Sequence, residues 1–304
     1  MTSTLAPLTS RDHTLDLSPS AFGELNRSDD ALGQVEKLRA RLDRDGYLYV
    51  PGFFDRDDVM EVRSSLTGQM ARQGLLNPDF PHVEALWNPE RRTTFMPQLA
   101  QNNGPLKNLI YGKQLLGFYE ALFGEAVLHF DFTWIRAVGP GQGTQPHCDL
   151  VYMGRGTHDL LTCWVPYGDV PLELGGLIVL EDSHLKSDRL RAYLSGDVDA
   201  YCENRPHQLE KVKSGKAKVG GWLSTNPVTL REKLGGRWLT TEWQAGDIIT
   251  FKMNMVHGSL DNATDRVRLS SDSRYQRASE PADERWIGAN PAGHSLAGKR
   301  GRIC

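Results

Sequence analysis

Beyond residue 127 the chain breaks into short alternating segments separated by turns, and this texture limits the available folds more than any other feature. Leu128, Phe130, Phe132 and Trp134 alternate with His129, Asp131 and Thr133, the period-two pattern of a half-buried strand. After a turn at Gly139-Pro140-Gly141, further strands are expected through His147 and over Leu160–Val165, Leu177–Leu180, Trp238–Trp243, Ile248–Phe251 and Val267–Tyr275. The first third reads differently. Leu32, Val35, Leu38 and Leu42 recur at helical spacing before Gly46, and Tyr47–Val50 reads as a short strand. Asp55 is placed to cap a second helix carrying Val59, Val62, Leu66 and Met70, and a third helix is expected over 106–123. Helices first and strands later predict an α+β chain whose core is two packed antiparallel sheets.

Residues 1 to about 30 lack sustained periodicity and read as an arm. A charged, helical insertion is expected over about 186–228, between core strands. No internal repeat or interdomain linker is visible, so 1–304 reads as a single domain. Hydrophobic residues at 39% and charged residues at 24% describe an ordinary globule with enough apolar material for a core. A net charge of −3 gives no electrostatic reason to expect nucleic acid or an anionic membrane surface as partner. No apolar run approaches the roughly 18 residues of a membrane span, and the first residues lack the apolar segment of a secretory signal. Cys148, Cys163, Cys202 and Cys304 show no CxxC spacing, so neither a disulfide scaffold nor a cysteine zinc site is expected. These features read as a reduced, cytoplasmic protein. Oligomeric state leaves no trace in the sequence.

The chemistry concentrates in GPGQGTQPHCDLVY, residues 139–152. On an extended strand a His-x-Asp step would present His147 and Asp149 on one face. An imidazole and a carboxylate on one face are two thirds of the facial triad that holds non-haem Fe(II) with positions left open. His257, in FKMNMVHGSLDN, is the best-placed third ligand. Asn262 lies five residues and Arg268 eleven residues beyond it, with Arg274-Tyr275 closing the strand.

Together with PHCD, WVPYGDV, GGLIVLEDSH, AGDIITF and the opening DGYLYVPGFFDRDDV, this order resembles the phytanoyl-CoA dioxygenase family of Fe(II)- and 2-oxoglutarate-dependent oxygenases. The resemblance covers roughly Asp45 to Gln276. It implies a double-stranded β-helix, or jelly roll, with the N-terminal helices packed on one sheet. It implies iron held by His147, Asp149 and His257, 2-oxoglutarate as cosubstrate and dioxygen as oxidant, with succinate and carbon dioxide released. Arg268 would pair its fork of donors with the distal carboxylate of 2-oxoglutarate. Arg266 shares its strand parity and is the rival anchor, disfavoured by the family spacing and by its place nearer the strand end. Ser259, two residues after the second histidine, and Trp164 match family positions near the cosubstrate. Halogenases of this fold replace the carboxylate by Ala or Gly, so Asp149 points to oxygenation.

Other residues carry blander readings. His129 and His158 lack a partner pattern, although His158 could reach a pocket mouth, and His184 reads as a structural residue fixing a loop. Trp134 and Arg136 share a strand face and either line a substrate cavity or serve as a core Trp and a surface Arg. The alternatives to the oxygenase are a cupin-like metalloenzyme without 2-oxoglutarate, which Arg268 would not serve, and a non-catalytic jelly-roll binding protein. The substrate is left open between a natural-product intermediate and a mildly polar or cationic small molecule. It would be set by the N-terminal helices, the 82–92 loop and the 186–228 insertion.

Overall fold

The computed structural model describes residues 7–216 and 220–304. Positions 1–6 of the expected arm and 217–219 of the expected insertion lie outside them. The arm is structured where it is described. Strands β1 (Thr9–Ser10) and β2 (His13–Thr14) form a small hairpin, and β3 (Phe22–Glu24) joins a core sheet. Two- and three-residue strands are too short to show a period in the sequence.

Helix α1 (Val35–Asp45) buries Leu38 and Leu42 and stops at Gly46, which adopts φ 77°. Strand β4 (Tyr47–Val50) follows. Helix α2 (Arg56–Arg72) starts where the Asp55 carboxylate accepts the Asp57 amide, and it buries the stripe Val59, Val62, Leu66 and Met70. Each such side chain contributes about 1.5–3 kcal/mol on burial. The helix expected over 106–123 is two helices, α3 (Gly104–Ile110) and α4 (Lys113–Phe123). The break is at Gly112, where a Cβ would stand 2.0 Å from the Asn108 carbonyl oxygen. Only glycine permits that approach, so the corner is built on a residue that apolar spacing ignores.

The expected strand through 128–134 is also two pieces, β5 (Val127–His129) and β6 (Trp134–Val138). Both pair antiparallel with the long strand near the chain end. Between them Asp131 donates its amide to the Trp286 carbonyl, so a later segment occupies the gap. The short helix α5 (Leu150–Met153) leads to β7 (Leu160–Pro166) and β8 (Leu177–Leu180). The insertion holds α6 (Ser187–Leu194), strand β9 (Ala200–Cys202), α7 (Pro206–Lys213) and, at its end, α8 (Pro227–Leu234). Then come β10 (Trp238–Thr240), β11 (Ile248–Lys252), β12 (His257–Ser259), β13 (Arg268–Arg277) and a last strand β14 (Arg300–Arg302).

The strands assemble into two facing sheets. The larger has the order β4-β11-β7-β13-β5, with β6 also paired to β13, and the smaller has the order β12-β8-β10-β3. All pairs are antiparallel except β3 with β10 and the separate pair β9 with β14. Period-two alternation sorts the side chains. Leu48, Val50, Leu161, Cys163, Val165, Leu269 and Tyr275 face the helices, where Leu66, Leu106, Leu115 and Tyr119 meet them. Tyr47, Tyr49, Trp164, Ile249 and Phe251 face inward against Val179, Leu239 and Trp243. This is the expected jelly roll, with its helices on the outer face of one sheet.

The cysteines depart from expectation. Cys202 and Cys304 form a disulfide across 102 residues, while Cys148 and Cys163 are buried free thiols. The parallel pairing of β14 with β9 brings the two together, and no local spacing could announce it.

Candidate active site

The site sits between the sheets, where β12 meets the segment leading to α5. His147 and His257 exchange backbone hydrogen bonds, each amide donating to the other's carbonyl at 2.9 Å. The approach is so close that a Cβ on Gly258 would lie 2.8 Å from the Thr144 carbonyl oxygen. Each imidazole then turns the same way. Nδ1 of His147 donates to the Gln145 carbonyl at 2.8 Å and Nδ1 of His257 to the Met255 carbonyl at 3.1 Å. That fixes the tautomer with the proton on Nδ1 and leaves both Nε2 lone pairs free.

Asp149 arrives by a different route from the one the sequence suggested. It is not on a strand; its backbone is helical (φ −66°, ψ −24°) at the start of α5. The carboxylate nevertheless reaches the same point, with Oδ1 3.7 Å from His147 Nε2 and 3.8 Å from His257 Nε2. Its other oxygen is engaged. Oδ2 accepts from Thr162 Oγ1 at 2.5 Å and from Arg274 Nη2 at 2.9 Å. One free oxygen and two free imidazole nitrogens thus converge within 4.8 Å of one another, all three residues buried.

Electrostatics suit a cation. Burial pushes the His147 imidazole down to about 3, with repulsion from His257 adding to it, and burial likewise lowers His257. Both are neutral at neutral pH. Burial alone would raise the Asp149 carboxyl, but Arg274, the two histidines and Thr162 outweigh it and hold it below the usual carboxylate range. A deprotonated carboxylate beside two neutral imidazoles is the donor set of a divalent transition metal with open positions.

A narrow crevice runs inward from the triad, lined by Trp164, Ser259 and Arg268. Arg268 is 2% exposed, and its Nη1 donates to Ser270 Oγ at 2.5 Å, while Nε has no partner. Among the described residues no carboxylate lies within ion-pair distance of it. Burial and the nearby Arg136 push its guanidinium down to about 9. Trp164 lies alongside, 5.8 Å from the guanidinium carbon. Ser259 Oγ accepts the Thr144 amide at 2.8 Å. Arg266, the rival, is on the surface beside Glu84. A cavity of about 450 Å³ opens on the other side of the triad, with Phe95, Trp134, Arg136, Tyr152, Trp222 and Arg274 in its walls.

The family model of phytanoyl-CoA dioxygenase matches residues 42–270. The chain belongs to the phytanoyl-CoA dioxygenase family. It is thereby a non-haem Fe(II)- and 2-oxoglutarate-dependent oxygenase. Among curated proteins, this dioxygenase is 24% identical over 269 residues to the 1-deoxypentalenic acid 11-beta-hydroxylase of Streptomyces arenae, covering 82% of this chain and 83% of that protein. The enzyme of the same name from Streptomyces exfoliatus is 22% identical over 263 residues, with the same coverage. Solved structures share the fold. The epimerase SnoN of nogalamycin biosynthesis, in complex with Fe3+, alpha ketoglutarate and nogalamycin RO, has a TM-score of 0.56 at 21% identity over 86% of this chain and 93% of its own. EctD from S. alaskensis has a TM-score of 0.57 at 16% identity, covering 97% and 98%.

Around this dioxygenase site the other sequence-level candidates sort clearly. Trp134 and Arg136 both line the cavity, and Trp134 also belongs to a buried apolar cluster with Phe130, Met153 and Trp286. His158 is not among that cavity's residues; it is exposed, with Nε2 3.3 Å from the Gly154 carbonyl. His129 stacks on Tyr111, and His184 Nε2 donates to the Asp43 carbonyl, tying the loop after β8 to α1. Sequence reasoning missed Thr162 and Arg274, which orient Asp149, and it missed Tyr152 and His294 in the cavity wall. Arg274 did leave a signal. Residues 268, 270, 272, 274 and 276 of β13 are polar and buried, so one whole face of an interior strand is polar.

Among the described residues no helix is long and apolar enough to cross a membrane.

Proposed function

We propose that this dioxygenase hydroxylates, or otherwise oxidises, a small organic molecule in the cytoplasm. His147, Asp149 and His257 would hold its iron and Arg268 its 2-oxoglutarate. The observation that carries the reading is a neutral two-imidazole, one-carboxylate donor set facing a buried guanidinium that lacks a carboxylate partner. A buried unpaired cation is costly, and a dicarboxylate that ends on it removes the cost.

When bound, the metal activates dioxygen, coupled to oxidative decarboxylation of the 2-oxo acid to succinate and carbon dioxide. The protein's part is positioning. Thr162 and Arg274 occupy Asp149 Oδ2, so that Oδ1 alone is presented and ligand positions stay open. The Gln145 and Met255 carbonyls hold both imidazoles with Nε2 inward. Arg268 offers its Nη and Nε donors to the distal carboxylate, and Ser259, whose hydroxyl proton has no acceptor among the described residues, adds another donor. Trp164 closes the crevice against water. No protein general base is needed for removal of a hydrogen atom from substrate.

The relatives named as hydroxylases favour hydroxylation as the reaction. In the test, Fe(II) and 2-oxoglutarate are added without oxygen and the visible charge-transfer band of the chelate is recorded. The band should form with wild type and vanish in His147→Ala. Its absence from wild type would overturn the proposal. Arg268→Ala should abolish succinate release, which a cupin-like enzyme indifferent to 2-oxo acids would not lose.

A further inference from the structure

We propose that the cavity beside the triad receives a compact, mostly apolar molecule bearing a single carboxylate, and that Arg136 binds that carboxylate. The proposal takes the dioxygenase site above as its setting and names the class of its substrate.

Arg136 stands on β6 facing the interior of the barrel, opposite Ser270 of β13. Its Nε donates to Asp272 Oδ2 at 2.8 Å. Among the described residues neither Nη atom has a protein partner, and the side chain lines both the cavity and the inner crevice. A guanidinium anchored through Nε presents its two remaining nitrogens as a fork, the geometry that matches a carboxylate. Among the described residues the only carboxylate lining the cavity is Asp149, whose Oδ2 is held by Thr162 and Arg274 and whose Oδ1 would serve the metal. A cationic ligand would therefore meet no free counter-charge.

The charge balance points the same way. Arg136, Arg268 and Arg274 contribute +3 and Asp149 and Asp272 contribute −2, leaving +1. A divalent metal and a doubly charged 2-oxo acid cancel each other, so +1 remains in the loaded site. A monocarboxylate neutralises it, whereas a neutral molecule leaves it buried. The rest of the ligand is mostly apolar, because Phe95, Trp134, Tyr152, Met153 and Trp222 face it, with Thr144, Gln145 and His294 as neighbouring polar groups. About 450 Å³ suits a small molecule and is at the lower end of ligand cavities.

The test compares adamantane-1-carboxylate with adamantane-1-carboxamide by isothermal titration calorimetry. The full chain is titrated metal-free, and again with Mn(II) and saturating 2-oxoglutarate. The acid should bind at least ~10-fold more tightly than the amide in both states, as expected for a charge-assisted pair. Arg136→Gln should erase that preference, and Arg136→Lys should keep part of it. Should Arg136→Gln fail to fold, Arg136→Lys decides, since it must bind the acid more weakly than wild type and the amide equally. Equal binding of the two probes, no acid binding at millimolar concentration, or a preference that survives Arg136→Gln would overturn the proposal. So would loss of acid binding when 2-oxoglutarate is added, which would place the acid in the cosubstrate crevice. Failure of the dioxygenase reading shows separately, as absence of metal-dependent heat from 2-oxoglutarate itself.

Discussion

Replacing Arg268 by methionine should remove cosubstrate binding while leaving the metal-free protein as stable as before, or more so. The guanidinium is 2% exposed, donates one hydrogen bond, to Ser270, and lies 5.8 Å from the Trp164 ring. Losing that hydrogen bond costs about 1 kcal/mol, and losing the cation–π contact costs up to about 2 kcal/mol. Against this, a buried cation without a counter-charge carries a desolvation penalty of several kcal/mol, which the thioether does not. The net change in the metal-free form is therefore between no effect and a gain of about 3 kcal/mol. Binding changes in the opposite direction. Truncating one partner of a buried, hydrogen-bonded charge pair costs about 2–5 kcal/mol, which weakens 2-oxoglutarate binding ~30-fold or more. Denaturant unfolding of the metal-free protein gives the first quantity, and anaerobic titration of the charge-transfer band gives the second. A variant that lost more than about 2 kcal/mol of stability yet bound 2-oxoglutarate normally would show that Arg268 is a structural residue.

Thr162→Val removes the 2.5 Å hydrogen bond to Asp149 Oδ2 at nearly constant volume, and metal affinity should fall ~10-fold with the melting temperature little changed, as measured by competition with a chelator. Asp199 is fully buried, and although burial alone would raise it, His294 and Lys299 hold its carboxyl down to about 2. Its folded value lies below the unfolded one near 3.8, so its contribution is complete above about pH 4 and disappears as pH falls through about 2. The stability gap between wild type and Asp199→Asn, followed by urea unfolding, should be constant above pH 4 and narrow below it. A gap that widened in acid would contradict this. Thiol titration of the denatured, unreduced protein should find two free cysteines, Cys148 and Cys163; four would show Cys202 and Cys304 unpaired.

Most of the site could be read from the sequence because its chemistry depends on residue type and order. The triad, Arg268, Ser259 and Trp164, the positions that the family resemblance implies, lie around one point and its crevice. Strand alternation would put His147 and Asp149 on one face, yet Asp149 sits in a helical turn. A two-residue step is too short for any period to separate the two conformations. Elements built on close approach were also hidden. Gly112 splits a helix whose apolar spacing runs through it, and Gly258 lets two segments touch, because in each case the deciding group is a backbone oxygen. The pairing of β14 with β9, and the disulfide beside it, join segments about 100 residues apart and carry no pattern in either.

Strand β13 shows why the polar part of the site is permanent. Its outward residues, Leu269 and Tyr275, belong to the helix-covered core, while Arg268, Ser270, Asp272 and Arg274 point into the barrel. A single-residue register slip would drive three charged side chains into Leu106, Leu115 and Tyr119 and pull Leu269 and Tyr275 away from them. Burying even one unpaired charge in that way costs several kcal/mol, a large share of a domain's whole stability. The buried charges of β13, among them the Arg274 that orients Asp149, therefore also fix the register of the sheet. It follows that Asp272→Asn, which removes the negative charge paired with the Arg136 guanidinium, should disturb the site before it disturbs the fold. With that counter-charge gone, Arg136 is drawn toward Asp149 and competes for the carboxylate. The expected signature is weaker metal binding with near-normal unfolding, and wild-type metal affinity in Asp272→Asn would show that the pair is not what holds Arg136 in place.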